Sequence, residues 1–202
     1  MIWSILYYIV RFTLYCMAVP FFRFTAHGVR YIPERGSIIL ASNHASNLDP
    51  LFVGVAAPRR INYLAKKELF SNRLFGFILR RICSALPVDR DQMDRTTLRE
   101  IFRRLEHEGM LLVFPEGTRT HDGRLGEAKL GVGLIAHHAG ATVIPAYVRG
   151  SYEILPRHAK RIRLSRCAVW FGPPLELDEL YRQGKSKEVY KRIGDRIMEG
   201  IR

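Results

Sequence analysis

Little in this chain can cross-link it or hold a metal. Its 202 residues include three cysteines, Cys16, Cys83 and Cys167, widely spaced and without a Cys-x-x-Cys pair, which excludes a disulfide framework or a zinc knot. No His-Glu-x-x-His, Gly-x-Gly-x-x-Gly or Walker loop is present, so no metal, nucleotide cofactor or flavin is expected. His137 and His138 diverge by about 100° on a helix and have no Cys or carboxylate at ligand spacing, so they read as ordinary helix residues. Acidic residues are scarce as well: 19 Asp and Glu against 32 Lys and Arg leave a formal charge of +13. So strong a cation suits nucleic acid, anionic lipid or phosphorylated small molecules as partners. The basic residues are 25 Arg and 7 Lys, a bias toward the planar fork that grips phosphates. Internal repeats, linkers and like-charge blocks are missing too, and 48% hydrophobic residues make a single folded domain the expectation.

What the chain does have begins at its start. The first 22 residues carry one charge, Arg11, and would form a helix about 33 Å long. That length spans a bilayer, but a cation at mid-depth costs roughly 2.5–3.5 kcal/mol and Pro20 is expected to disturb the last turn. No basic region precedes the apolar run and no Ala-x-Ala site follows it, so the segment is expected to stay attached. Trp3, Tyr7, Tyr8 and Tyr15 are rings that settle at headgroup level, and Arg11, Arg23 and Arg30 are placed to reach lipid phosphates. Residues 1–30 therefore read as a monotopic or re-entrant membrane-associating helical segment. A helix buried on the domain and a true span are the alternatives.

Residues 31–202 alternate short apolar runs with amphipathic stretches. The pattern predicts strands at Ser37–Ala41, Ile61–Ala65, Ala85–Val88, Met110–Phe114 and Val143–Val148. Between them Leu98, Ile101, Phe102 and Leu105 repeat at helical spacing. The stretch Arg161–Phe171 places Ile162, Leu164, Ala168 and Trp170 on one parity, predicting a last half-buried strand. A terminal helix is expected from about Ser186, with Ile193, Ile197 and Ile201 four apart. Strand and helix in succession argue a single layered α/β domain, its sheet largely parallel and mixed, flanked by helices.

Two segments concentrate chemistry. Asn43-His44 and Asp49 follow the first core strand, and a His with an Asp at a strand's carboxyl end suits a general base held by a carboxylate. Five residues apart, the two would sit about 140° apart on one helix, so the pair must lie on a bend, which Asp49-Pro50 supplies. The bland reading of this Asp is an N-cap before a Pro at the first helical position. Phe114-Pro-Glu-Gly-Thr-Arg119 ends another core strand and joins a turn, a carboxylate, a glycine and an Arg fork in one loop able to hold a phosphate. Lys129, ten residues after Arg119, could close that pocket as a point charge. Cys83 has no adjacent His and is a poor nucleophile candidate.

Asn43-His44-x4-Asp49, Leu86-Pro-Val-Asp-Arg90, Phe114-Pro-Glu-Gly-Thr-Arg119 and Val143-Ile-Pro-Ala-Tyr147 together resemble the four ordered blocks of the glycerolipid acyltransferase family. The resemblance runs from about Phe24 to Leu175 and implies acyl transfer from a thioester, acyl-CoA or acyl-carrier protein. The acceptor it implies is the free hydroxyl of 1-acyl-glycerol-3-phosphate, giving phosphatidic acid. It assigns catalysis to His44 and Asp49, acceptor-phosphate binding to Arg90, Glu116, Gly117 and Arg119, and the acyl donor or site integrity to Pro145 beside Asn43. A carboxylate is a poor partner for an anion, so Glu116 is expected to orient an arginine or a substrate hydroxyl, with a purely structural role as the alternative. Ser84 stands where that family commonly has glycine, and Ala128 where it often has an aromatic. Another lysolipid, or a lipid-linked amino acid, as acceptor stays open, as does an idle lipid-binding protein on the same fold. The partners implied are membrane lipid and an acyl thioester, with no nucleic acid. The place implied is the cytoplasmic face of a bacterial inner membrane, where basic residues gain about 1 kcal/mol each near anionic lipid. Nothing in the sequence sets an oligomeric state.

Overall fold

The computed structural model describes residues 2–89 and 94–202. Arg90, expected to bind phosphate, lies outside the described residues. Apolar runs of four to six residues become the strands of one seven-stranded sheet, in the order β1-β7-β6-β2-β5-β3-β4. The strands are β1 (Thr25–His27), β2 (Ile38–Ser42), β3 (Ile61–Lys66), β4 (Ala85–Val88), β5 (Met110–Val113), β6 (Thr142–Arg149) and β7 (Ala168–Phe171). β6, β2, β5, β3 and β4 are mutually parallel; β7 runs antiparallel to β6 and pairs in parallel with β1. The helices are α1 (Ile2–Phe22), α2 (Asp49–Ala56), α3 (Arg73–Arg81), α4 (Arg95–Glu106), α5 (Leu130–Ala139), α6 (Ser151–Ile154), α7 (Asp178–Arg182) and α8 (Lys187–Ile201).

The central strands are buried on both faces, as parallel strands under helices must be. Ile38 and Leu40 of β2 point into the core beneath α2, while Ile39 and Ala41 meet the side chains of α4, α5 and α8. Ile101 and Leu105 anchor α4 in that second layer, with Leu98 and Phe102 against it. Side-chain caps set three helix starts: Asn72 accepts from the Phe75 amide at 3.0 Å, Asp94 from Thr97 at 2.6 Å and Ser186 from Val189 at 3.2 Å.

Three expectations are corrected. Of Arg161–Phe171 only Ala168–Phe171 joins the sheet, and the buried parity is Cys167, Val169 and Phe171 instead of Ala168 and Trp170. Backbone bonds from Arg163 to the Ile154 carbonyl and from Cys167 to the Phe22 carbonyl hold the preceding residues as a loop, leaving Ile162 and Leu164 exposed. Pro20 lies in the last turn of α1, which runs on to Phe22; a proline there forfeits one helical bond only. Arg11 does not reach outward to lipid: its Nε donates to the Val55 carbonyl at 3.3 Å, in the last turn of α2, where a helix end favours a cation. The sheet also begins upstream of residue 31, because Thr25–His27 pairs with β7.

α1 is half committed to the domain. Tyr7 and Ala18 are buried, and the Tyr7 hydroxyl accepts the Ile61 amide at 3.3 Å. Leu14 and Phe22 pack against the core as well, and the opposite side of the helix is bare: Ile9 is 56% and Phe12 68% exposed.

Candidate active site

The five parallel strands put their carboxyl ends on one edge, the place where open α/β sheets gather their chemistry. β2 leads into His44, β5 into Phe114–Glu116, and β3 ends at Lys66. Asn43 fixes where β2 stops. Its side-chain amide acts as one more rung of the ladder, donating to the Val148 carbonyl at 3.0 Å and accepting the Val148 amide at 2.7 Å. The chain then turns, and His44 and Asp49 meet across the bend.

His44 Nδ1 lies 3.0 Å from Asp49 Oδ2, with both side chains buried. The same oxygen accepts the amides of Ala45 and Ser46, each at 2.7 Å. A carboxylate in this setting only accepts, so Nδ1 carries the proton and Nε2 is left as the free base. Asp49 thus caps the turn behind it instead of the helix it begins, and the bland N-cap expectation does not hold. The His44 ring is sandwiched against Phe114, centroids 3.9 Å apart and planes at 16°.

Glu116 reaches neither an arginine nor the surface. Oε1 accepts the His44 amide at 3.0 Å and Oε2 the Gly126 amide at 2.9 Å, so the carboxylate stitches the catalytic turn to the far end of its own loop. A second stitch runs from the Thr120 amide to the His44 carbonyl at 2.8 Å. Gly117 is left-handed, φ 72°, and a Cβ there would press on the Lys129 stem at 3.1 Å; glycine is what lets the lysine lie across the loop. Pro145 is a packing residue, lying in β6 against Gly172 and against Gly200 of α8. Ser84 takes φ 50°, the left-handed conformation that accounts for a glycine being common there.

Arg119 is partly buried and interlocked with Arg157. Arg119 Nη1 donates to the Arg157 carbonyl at 3.3 Å, and Arg157 Nη1 to the Arg119 carbonyl at 2.8 Å. Burial, then the Arg157 charge, pulls the Arg119 guanidinium below its ordinary value, and Asp49 pulls the other way. Two like charges held together in this way favour an anion between or beside them. Sequence reasoning missed Arg157: no spacing ties it to Arg119, which lies 38 positions away, and only the fold brings them together. It missed Ser46 as well, whose Oγ donates to the Leu155 carbonyl at 2.9 Å and holds the turn from the other side.

Beside the dyad opens an apolar cavity of about 370 Å³, in the range of ligand pockets. Phe114, Asn47 and Pro50, close to the dyad, line it together with Tyr7, Val10 and Leu14 of α1 and Phe75 and Leu79 of α3. Gly54 makes room in it, since a Cβ there would meet the Tyr63 hydroxyl at 2.1 Å. Cys83 also lines it, and burial pushes that thiol up from its ordinary value, the wrong direction for a nucleophile. His137 and His138 are engaged away from this edge, with the Gln183 carbonyl and the Tyr190 hydroxyl, each at 3.0 Å.

Comparison with known proteins agrees with this arrangement. A family profile described as Acyltransferase matches residues 23–149. The 1-acyl-sn-glycerol-3-phosphate acyltransferase of Streptococcus pneumoniae is 28% identical over 85% of this chain and 62% of its own. That of Bacillus subtilis is 32% identical over 71% of this chain and 69% of its own. The chain therefore spans about two thirds of the length of these relatives. The crystal structure of the 1-acyl-sn-glycerophosphate acyltransferase PlsC from Thermotoga maritima shares the fold, with a TM-score of 0.71 at 23% identity over 88% of this chain and 70% of that one. The profile covers β1 through β6 and with them the dyad, the Glu116 loop and Arg119, and the chain belongs to the acyltransferase family.

Proposed function

We propose that the protein is a membrane-docked O-acyltransferase that converts 1-acyl-glycerol-3-phosphate to phosphatidic acid. The observation that carries this reading is the junction at Phe114, one ring that stacks on His44 and also lines the apolar cavity. A general base and a slot for an acyl chain meet there. His44 Nε2 takes the proton of the acceptor's free hydroxyl as that oxygen attacks the thioester carbonyl carbon. Asp49 holds the ring and stabilises the imidazolium that forms. The carbon–sulfur bond then breaks, and the proton passes to the departing thiolate, so no acyl-enzyme and no metal or prosthetic group is needed. The acyl thioester, from coenzyme A or acyl-carrier protein, is a co-substrate.

Arg119, with Arg157 beside it, and Lys129 across Gly117 supply positive charge for the acceptor's phosphate; Arg90 is proposed to join them. Asn43, Glu116 and Pro145 keep the turn and its strand in place. The bare side of α1 supports attachment to a membrane, taken to be the cytoplasmic face of a bacterial inner membrane. The test is acyl transfer from labelled oleoyl-CoA and oleoyl-acyl-carrier protein to a panel of lysolipids in detergent micelles, wild type against His44→Ala. Labelled phosphatidic acid from wild type alone is expected. A different labelled product would move the acceptor to another lysolipid or a lipid-linked amino acid, and silence from folded protein with every pair would sink the proposal.

A further inference from the structure

α3 is not needed to close the sheet, yet it carries apolar side chains on two sides. Phe75 and Leu79 look into the cavity. Leu74 and Phe77 point away from it, 72% and 47% exposed, on a helix only nine residues long. Leu69, just before α3, is exposed as well. The charges around this face are of one sign: residues 66–81 hold Lys66, Lys67, Arg73, Arg80 and Arg81 against Glu68 alone. Exposed apolar rings rimmed by arginines, without acids on the helix itself, match an anionic lipid surface and no aqueous face.

The face is continuous with α1. Trp3 meets Phe77 edge-on at 5.5 Å. Arg60 bridges the two helices, donating to Ser4 Oγ at 3.3 Å and to the carbonyls of Arg81 and Ile82 at 3.1 and 3.2 Å. The cavity takes part of its lining from these same two helices, and so lies beside both exposed apolar surfaces. We propose that α3 is a second membrane-docking element, with Leu74 and Phe77 in the acyl region of an anionic leaflet and Arg73 and Arg81 at its headgroups. The inference rests on the acyltransferase reading for its purpose: an acyl chain would enter the cavity sideways, from the bilayer, between α1 and α3.

Sedimentation with phosphatidylcholine vesicles, with and without one third phosphatidylglycerol, tests it on the full chain. Leu74→Ser/Phe77→Ser is expected to weaken partitioning at least about tenfold on either composition. Arg73→Gln/Arg81→Gln is expected to lose about fivefold per arginine, on the anionic vesicles only. Both variants should keep wild-type acyl transfer in detergent micelles, a readout that fails on its own if the acyltransferase reading is wrong. Hydrogen exchange of residues 69–81 in wild-type protein is expected to slow when anionic vesicles are added, and needs no variant to fold. Wild-type partitioning by both variants, or unchanged exchange over 69–81, would overturn the proposal. So would a lipid-free dimer that Leu74→Ser/Phe77→Ser dissolves, which would make the face an interface between copies.

Discussion

Replacing Glu116 by glutamine changes one atom, and the structure says what that atom does. Each carboxylate oxygen accepts one backbone amide, from His44 at 3.0 Å and from Gly126 at 2.9 Å. A glutamine offers one oxygen and one NH2, so one of the two amides, the buried one of His44 or the part-buried one of Gly126, faces a donor and loses its acceptor. A hydrogen bond to a charged group contributes about 1.5–3 kcal/mol, and an unsatisfied buried donor costs about 1–3 kcal/mol. Allowing for overlap between those two figures, Glu116→Gln should destabilise the fold by about 2–4 kcal/mol. For a domain of this size that lowers Tm by roughly 4–16 °C. Thermal unfolding followed by circular dichroism reads that shift, and steady-state acyl transfer reads the consequence for the turn that holds His44. We expect kcat to fall with little change in the KM for lysophosphatidic acid, because the lost bonds position the base and touch no substrate. A Tm within about 1 °C of wild type, together with a raised acceptor KM, would refute the reasoning and return Glu116 to the substrate.

Asp49→Asn removes the negative charge that stabilises the His44 imidazolium, and kcat should fall by about 10³–10⁴, as in other His–carboxylate pairs; a loss below tenfold at saturating substrates would deny Asp49 that role. Gly54→Val should crowd the Tyr63 hydroxyl and shorten the cavity, moving donor preference toward shorter acyl chains in a competition between short and long acyl-CoA, and an unaltered chain-length profile would place the acyl chain elsewhere. The Arg103 hydrogen bond, helped by Arg104, pulls the Glu100 carboxyl from the usual 4.5 to about 2. That stabilisation is full above about pH 4.5 and is lost as pH falls toward 2, but on so exposed a group it stays below about 1 kcal/mol. Glu100→Gln should therefore flatten the decline of Tm over that window, and a slope equal to wild type would contradict it. Burial pushes the Cys167 thiol up to about 12, so in folded protein near neutral pH the exposed Cys16 should react with a thiol reagent while Cys167 stays protected, and equal rates would show that β7 opens.

The five mutually parallel strands were legible because each is a short, mostly apolar run; β2, β3, β4, β5 and β6 fall within about a residue of the expected spans. The β1–β7 edge was not. β1 is three exposed residues whose only reason to be a strand is the partner it finds in β7. In Arg161–Phe171 the parity count went astray because Ile162 and Leu164, apolar but outside the sheet, were counted with it. His44 and Asp49 could be named from spacing, since a dyad on a bend needs only neighbours in sequence. The task of Glu116 could not: the donors it accepts from are backbone amides 72 and 10 positions away, and amides leave no trace in a sequence. Arg11 looked like a charge stranded in lipid because its partner is the backbone carbonyl of Val55, which any residue would supply.

α2 begins at the carboxylate that steers the base and ends in the turn whose carbonyl is gripped by Arg11 of α1. Eight helical residues, about 12 Å, therefore separate the helix proposed to face lipid from the atoms proposed to exchange protons. Bringing an acyl chain out into water costs about 0.8 kcal/mol per CH2, roughly 13 kcal/mol for sixteen carbons. On the proposed function a lysolipid avoids that barrier over a strut this short: its tail moves from one oily surrounding to another while its glycerol rises by about the length of α2. A protein so arranged would work as a fixed-height stage at the bilayer surface, with turnover set by how lipids tilt and climb, not by how fast they desorb.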